Sequence, residues 1–237
     1  MSFLTAEWQK LAFVNYQVDP VLLQPYVPHG TTLDLWQGTC YLSLIGFLFT
    51  ETTLRGIRIP FHVSFEEVNL RFYVKRETDL ETRRGVVFIK EIVPKPAIAL
   101  VANLLYQESY QTLRMRHHWK QTPEHLTVRY EWKKRGEWQH MAVTASHSPQ
   151  SLEPGSETEF ITEHYWGYAK AGKGKTTEYE VTHPRWQIYP VQDLDLKVNF
   201  GLTYGPKFHF LSEETPSSVM LAEGSPITIE GKTIIWK

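Results

Sequence analysis

Between residues 64 and 74 the chain reads SFEEVNLRFYV, with apolar and polar positions alternating at a period of two. One register holds Glu66, Val68, Leu70, Phe72 and Val74; the other holds Phe65, Glu67, Asn69, Arg71 and Tyr73. Successive side chains of a strand point to opposite faces of a sheet, so this alternation predicts a β-strand. Its second face departs from the usual Lys, Thr and Ser of a solvated strand: a carboxylate, an amide and a guanidinium lie between two aromatic rings. Such a face either meets bulk water or lines a pocket. Strand-like patterning recurs in RGVVFIKEIV (84–93), QTLRMRHHWKQ, EHLTVRYEWKK and GEWQHMAVTAS, the last two flanking KKRG as a hairpin. The stretch from Leu33 to Phe49 reads as two strands broken near Gln37-Gly38. AKAGKGKTTEYEV reads as a second hairpin, and the tail as two strands around Glu230-Gly231.

Helical spacing is rarer. In PKPAIALVANLLYQESY, Ala97, Leu100, Val101, Leu104 and Leu105 recur at helical intervals, with Pro94 and Pro96 at the start. VDPVLLQPYVP offers Asp19 as an N-cap and Pro20 as the first helical residue, and Ser156 and Glu159 have capping-box spacing before FITEHYWGY. The Ser-, Pro- and Gly-rich run 148–159 reads as a connecting loop, and no internal repeat divides the chain. The expectation is one domain over 1–237, mainly β (β-rich α+β), with a few short helices. Closure of the sheet into a barrel would remove its exposed edges.

Composition narrows the function classes. Of 237 residues, 42% are hydrophobic and 22% charged, which excludes general disorder. The net charge of −1 supplies no field to hold a polyanion, so nucleic acid is not an expected partner. The most apolar run, Cys40 to Phe49, is about half the ~20 residues a membrane helix needs, so no membrane is expected either. Cys40 is the single cysteine, in the apolar stretch TCYLSLIGF. It reads as a buried structural thiol in a protein of the reducing cytoplasm, and the N-terminus lacks signal-peptide character. The motifs of common chemistries fail: AKAGKGKT misses the phosphate-loop spacing and there is no GxSxG or HExxH. His117 and His118, adjacent on a strand, point to opposite faces and cannot easily share a metal. No metal and no cofactor are expected.

Several segments together resemble one family. VDPVLLQPYVPHGTTLDLWQGTCYLSLIGF resembles its N-terminal signature, FEEVNLRFYV followed by RGVVFIKEI its core, and FITEHYWGY, HPRW and SSVMLAEGSPITI its later elements. In that order they identify the chain as a member of the YqjF-like family (domain of unknown function 2071), grouped with acetoacetate decarboxylase-like proteins. The resemblance implies a mainly antiparallel β-barrel enclosing a small-molecule cavity. The decarboxylases attack a β-keto acid with a lysine activated by a neighbouring lysine. Here the corresponding stretch, LLYQESYQTLRM, has no lysine, and Tyr110 falls near the nucleophile's place; Lys95 and Lys120 are too far along the chain to stand in. The resemblance also places Glu67 at a cavity-facing glutamate.

Glu67 and Arg71 share a face but lie about 13 Å apart along a strand, so each is expected to pair with another strand or with a ligand. Glu67, Asn69, Arg71, Tyr73, Tyr106 and Tyr110 are the candidate ligand-binding residues, with Glu67 the candidate acid–base group. For Tyr106 and Tyr110 core packing is an equal alternative; for His183, Trp186 and Tyr189, in an aromatic-rich strand THPRWQIYP, core packing is preferred. Arg114, Arg116 and Glu108 read as surface ion pairs. The leading expectation is a small-molecule-binding protein whose ligand carries a carboxylate or carbonyl. The alternatives are an enzyme acting on such a compound without a lysine imine, and an interaction protein without ligand; homo-oligomerisation stays open.

Overall fold

The computed structural model describes residues 2–236. In chain order the strands and helices are β1 (Leu4–Gln17), α1 (Pro20–Leu23), β2 (Thr32–Leu33), β3 (Tyr41–Leu54), β4 (Phe65–Glu77), β5 (Thr82–Val93) and α2 (Pro96–Tyr106). There follow β6 (Tyr110–Thr112), β7 (Arg114–Gln121), β8 (His125–Lys134), β9 (Glu137–Ser146), α3 (Glu157–Thr162), β10 (Trp166–Lys170) and β11 (Lys175–Thr182). The chain ends with β12 (Ile188–Tyr189), β13 (Val191–Lys197), α4 (Phe200–Tyr204), β14 (Ser218–Ile229) and β15 (Thr233–Trp236).

The larger sheet runs β14–β1–β3–β4–β5–β10–β11 and returns to β14, a barrel-like ring whose neighbours are antiparallel except for the parallel contact of β10 with β5. The ring leaves few strand edges open, as the sequence leads one to expect. A second sheet, β13–β9–β8–β7, packs over the outside of the ring. Its β8–β9 hairpin turns at Arg135 (φ 48°) and Gly136 (φ 89°), the left-handed pair a two-residue loop requires. Strand β4 lies between two cores. Val68, Leu70, Phe72 and Val74, each fully buried, face the second sheet and pack with Tyr130, Trp132 and Met141. Phe65 and Tyr73 face the inside of the ring with Phe13, Ile45 and Trp186. From Glu67 to Val74 neither face of the strand meets bulk water.

Local signals hold where their geometry is short-range. The Asp19 side chain accepts from Val21 N (2.8 Å), and the Ser156 hydroxyl accepts from Glu159 N (3.1 Å). The reciprocal bond of that capping box goes to Gly155 N (2.7 Å) instead of Ser156 N. One expectation needs correcting: THPRWQIYP, expected as a strand, is strand only at Thr182 and Ile188–Tyr189. The α2 helix forms as expected, with Leu100 60% and Leu104 66% exposed while Ala97 and Val101 line a cavity. The two tail strands form as expected too, β14 pairing with β1 and β15 with β11. Among the described residues no helix is long and apolar enough to cross a membrane.

Candidate functional site

Strand β4 pairs with β3 in unbroken register over Phe65–Phe72, so Glu67, Asn69 and Arg71 project together into the ring. Strand β5, on the other side, does not keep its parity. Leu70 pairs with Lys90 and Arg71 with Phe88, leaving Ile89 as an extra residue, a β-bulge. Val86 and Phe88 point into the ring before the bulge, and Glu91 does so after it. Lys90 is turned outward, where its ammonium reaches Thr203 O (2.5 Å). Without the bulge, Lys90 would occupy the inward position.

Two adjoining chambers meet along a wall shared by Phe49, Glu67, Tyr110, Tyr179 and Ile229. The outer one, about 300 Å³, is apolar and lies beneath α2, with Ile98, Val101 and Tyr106 in its lining. The inner one, about 60 Å³, is walled by Asn69, Arg71, Glu91, Trp8, His183 and Trp186, among others. Among the described residues no lysine lines either chamber. Glu67 accepts from Asn69 Nδ2 (2.9 Å) and from the Tyr110 hydroxyl (3.1 Å). Glu108, beyond the helix, accepts from the Tyr179 hydroxyl (2.7 Å).

These carboxyl groups are poorly compensated. Burial pushes Glu67 up to about 7, although Asn69, Tyr110 and the Arg71 charge pull the other way. Burial, with Glu67 nearby, lifts Glu108 to about 8. Glu91 is held well above the carboxylate range by burial and by the charges of Glu108 and Glu67. Burial also lowers His164 and His183 to about 4, so both imidazoles are neutral at pH 7.

The support is local and specific. Gln107 takes a left-handed conformation (φ 58°) that ends α2 and turns the chain, and Asn103 brackets Tyr110 through bonds to its N (2.7 Å) and O (3.0 Å). Gly167 carries no side chain where a Cβ would collide with the Tyr179 ring, so that ring can lie flat against β10. His183 stacks on Trp186 (centroids 4.1 Å apart), and Trp8 lies 6.1 Å from the same indole. The Arg71 guanidinium lies over the Phe13 and Tyr73 rings and donates to Ile161 O (3.4 Å), with its Nε unpartnered.

The structure brings Glu67, Asn69, Arg71 and Tyr110 to the inner chamber and Tyr106 to the outer one. Tyr73 it does not. Its ring packs on His164 (4.7 Å), and its hydroxyl donates to Ser43 Oγ (2.8 Å), which donates in turn to Asn15 Oδ1 (2.6 Å). Tyr73 is therefore a buttress under Arg71 and not part of the lining. Glu108 is corrected from surface ion pair to lining residue, whereas Arg116 does pair, with Glu131 (2.6 Å). His183 and Trp186 line the inner chamber. Glu91 and Tyr179 are additions that sequence reasoning missed.

Comparison with known proteins now adds to this geometry. Residues 5–226 match DUF2071, a family of uncharacterised conserved proteins. The chain belongs to this family. The uncharacterised protein YqjF of Bacillus subtilis (strain 168) is 34% identical over 68 residues, a stretch that spans 28% of each chain. Among solved structures, this DUF2071 chain is similar to the enduracididine biosynthesis enzyme MppR in complex with pyruvate (TM-score 0.70, 12% identity, 99% of this chain and 91% of that one). It is also similar to an acetoacetate decarboxylase-like enzyme from Sphingomonas wittichii RW1 (TM-score 0.67, 13% identity, 100% and 94%). A third is acetoacetate decarboxylase from Legionella pneumophila (TM-score 0.66, 12% identity, 98% and 86%). At these identities the likeness establishes the acetoacetate decarboxylase-like fold.

Proposed function

We propose that the protein is a cytoplasmic small-molecule-binding protein that holds an organic ligand across the two chambers. The apolar body of the ligand lies under α2, and its polar head reaches Glu67, Arg71 and Tyr110. One observation carries this reading: polar atoms of Asn69, Arg71 and Glu91 are buried without hydrogen-bond partners around one small space next to an apolar cavity. A purely structural core pairs such groups. A carbonyl or carboxylate oxygen on the ligand would meet the Arg71 and Tyr110 donors. The pyruvate bound by MppR and the acetoacetate in the name of the decarboxylases suggest keto acids as first probes. The test is binding of 2-oxohexanoate by calorimetry. Arg71→Met and Tyr110→Phe are each expected to weaken binding at least tenfold; equal affinity in both variants would remove the assignment.

A second reading, an enzyme acting on a carbonyl compound, is favoured by Glu67 alone. Its carboxyl, held near 7 by burial and bonded to Tyr110, is suited to exchange a proton at neutral pH. Such chemistry proceeds by proton transfer, without an imine. Turnover of a keto-acid panel that survives Glu67→Gln undiminished would refute this role.

A further inference from the structure

The inner chamber has a surplus of acceptors. Glu91 Oε2 and Asn69 Oδ1 are both without a hydrogen-bond partner, on residues only 2% and 1% exposed. Glu67 already binds Asn69 Nδ2 and the Tyr110 hydroxyl, and Glu108 the Tyr179 hydroxyl. Against Glu67 and Glu91 here, and Glu108 in the adjoining chamber, stands one cation, Arg71, part of whose guanidinium is committed to Ile161 O. The other titratable groups facing this space, His164, His183, Tyr110 and Tyr179, are held uncharged by burial, and the Tyr110 hydroxyl also neighbours Glu91.

Elsewhere the chain compensates its buried carboxylates. Glu178, 3% exposed, meets Arg76 and Arg83, each at 2.9 Å; Glu131, 5% exposed, meets Arg116 and Arg129. A buried acceptor left without a donor keeps the cost of its lost hydration. Two such acceptors beside two further carboxyl groups call for a group rich in donors and positively charged. The walls suit the same group: Trp8 and the His183–Trp186 stack present aromatic rings, which attract cations. The size fits as well, since about 60 Å³ accommodates a head little larger than one or two waters, each about 30 Å³ in the liquid.

We propose that the ligand's head includes a protonated amine, received by Glu91 and Asn69 with Glu67 alongside, while its hydrocarbon body fills the outer chamber. Binding of the cation favours the ionised form of Glu91, whose proton passes to solvent, so that the pair is neutral when bound. This rests on the reading of the two chambers as one small-molecule site.

The test is calorimetry of the full chain at pH 7.5 with hexylamine, hexan-1-ol, hexanoate and 2-oxohexanoate. Hexylamine is expected to bind at least tenfold more tightly than hexan-1-ol or hexanoate. Glu91→Gln is expected to remove that tenfold advantage. The wild-type comparison decides the matter even if the variant does not fold. Hexylamine no tighter than hexan-1-ol, or an advantage that survives Glu91→Gln, would overturn the proposal. If 2-oxohexanoate or hexan-1-ol binds and hexylamine does not, the cationic head falls and the small-molecule site stands. If no probe binds, both fall.

Discussion

Glu131 and Glu91 are buried to nearly the same depth, 5% and 2% exposed, in opposite surroundings. Glu131 sits in the second sheet among guanidinium groups. Burial alone would raise it, but the bonds and charges of Arg116 and Arg129 outweigh that and hold it below the usual carboxylate range. Glu91 sits inside the ring with other carboxyl groups for neighbours and is pushed far above that range. The first arrangement is what a fold does with a carboxylate it must bury. The second costs stability and persists where a site needs unsatisfied groups. Strand β4 carries the same contrast on its two faces: Leu70 is fully buried in one core, while Asn69 leaves an acceptor open toward the other.

The contrast can be broken at three points, in decreasing order of expected effect. Leu70→Ala should cost about 2–5 kcal/mol, because a fully buried side chain leaves a cavity between the sheets. Asn69→Ala, one residue away, should cost about 1 kcal/mol or less, since only the bond to Glu67 is lost. Urea unfolding of both variants reads the difference, and equal losses would mean that the chamber face is packed like the core. Next, Glu131→Gln should destabilise by about 1–3 kcal/mol through its charged hydrogen bonds, whereas Glu91→Gln should be neutral or stabilising at pH 7. The smallest effect, at most about 1.4 kcal/mol per pH unit for each group, is in pH. Glu67 and Glu108 bind protons more tightly folded than unfolded, with folded values of about 7 and 8 against an ordinary value of 4.5. Their contribution is therefore complete below about 4.5 and is lost as pH rises through about 8. Glu131 behaves oppositely, contributing above its ordinary value and losing that contribution in acid. Unfolding free energies from pH 5 to 8 should fall less steeply in Glu67→Gln than in the wild-type chain; parallel curves would contradict the assignment.

What was legible in the sequence follows from how far each signal reaches. The register of residues 64–74 places Glu67, Asn69 and Arg71 correctly because β4 runs against β3 without interruption. The cap at Asp19 and the KKRG hairpin are equally local. Glu91 escapes the same rule, since the parity set by Val86 and Phe88 assigns the inward position to Lys90. Glu108 follows a left-handed Gln107, and the helix periodicity before it says nothing of where it points. His164, His183 and Trp186 come from segments without a period. The ring and the separate second sheet depend on pairings between distant strands, which alternation alone cannot specify. The stripe of α2 announces an apolar neighbour, yet of its five residues only Ala97 and Val101 line the outer chamber, while Leu100, Leu104 and Leu105 are exposed.

Ile89 is one residue among twelve in β5, yet it decides which of two adjacent opposite charges the interior receives. Drawing Ile89 into regular alternation would leave every functional side chain in the chain and still exchange Glu91 for Lys90 at the chamber wall. Deleting Ile89 would not: Arg71 would stay opposite Phe88 and Leu70 opposite Lys90, so Glu91 would keep its inward place. The electrostatic sign of this interior is thus set by whether the backbone counts one residue or skips it.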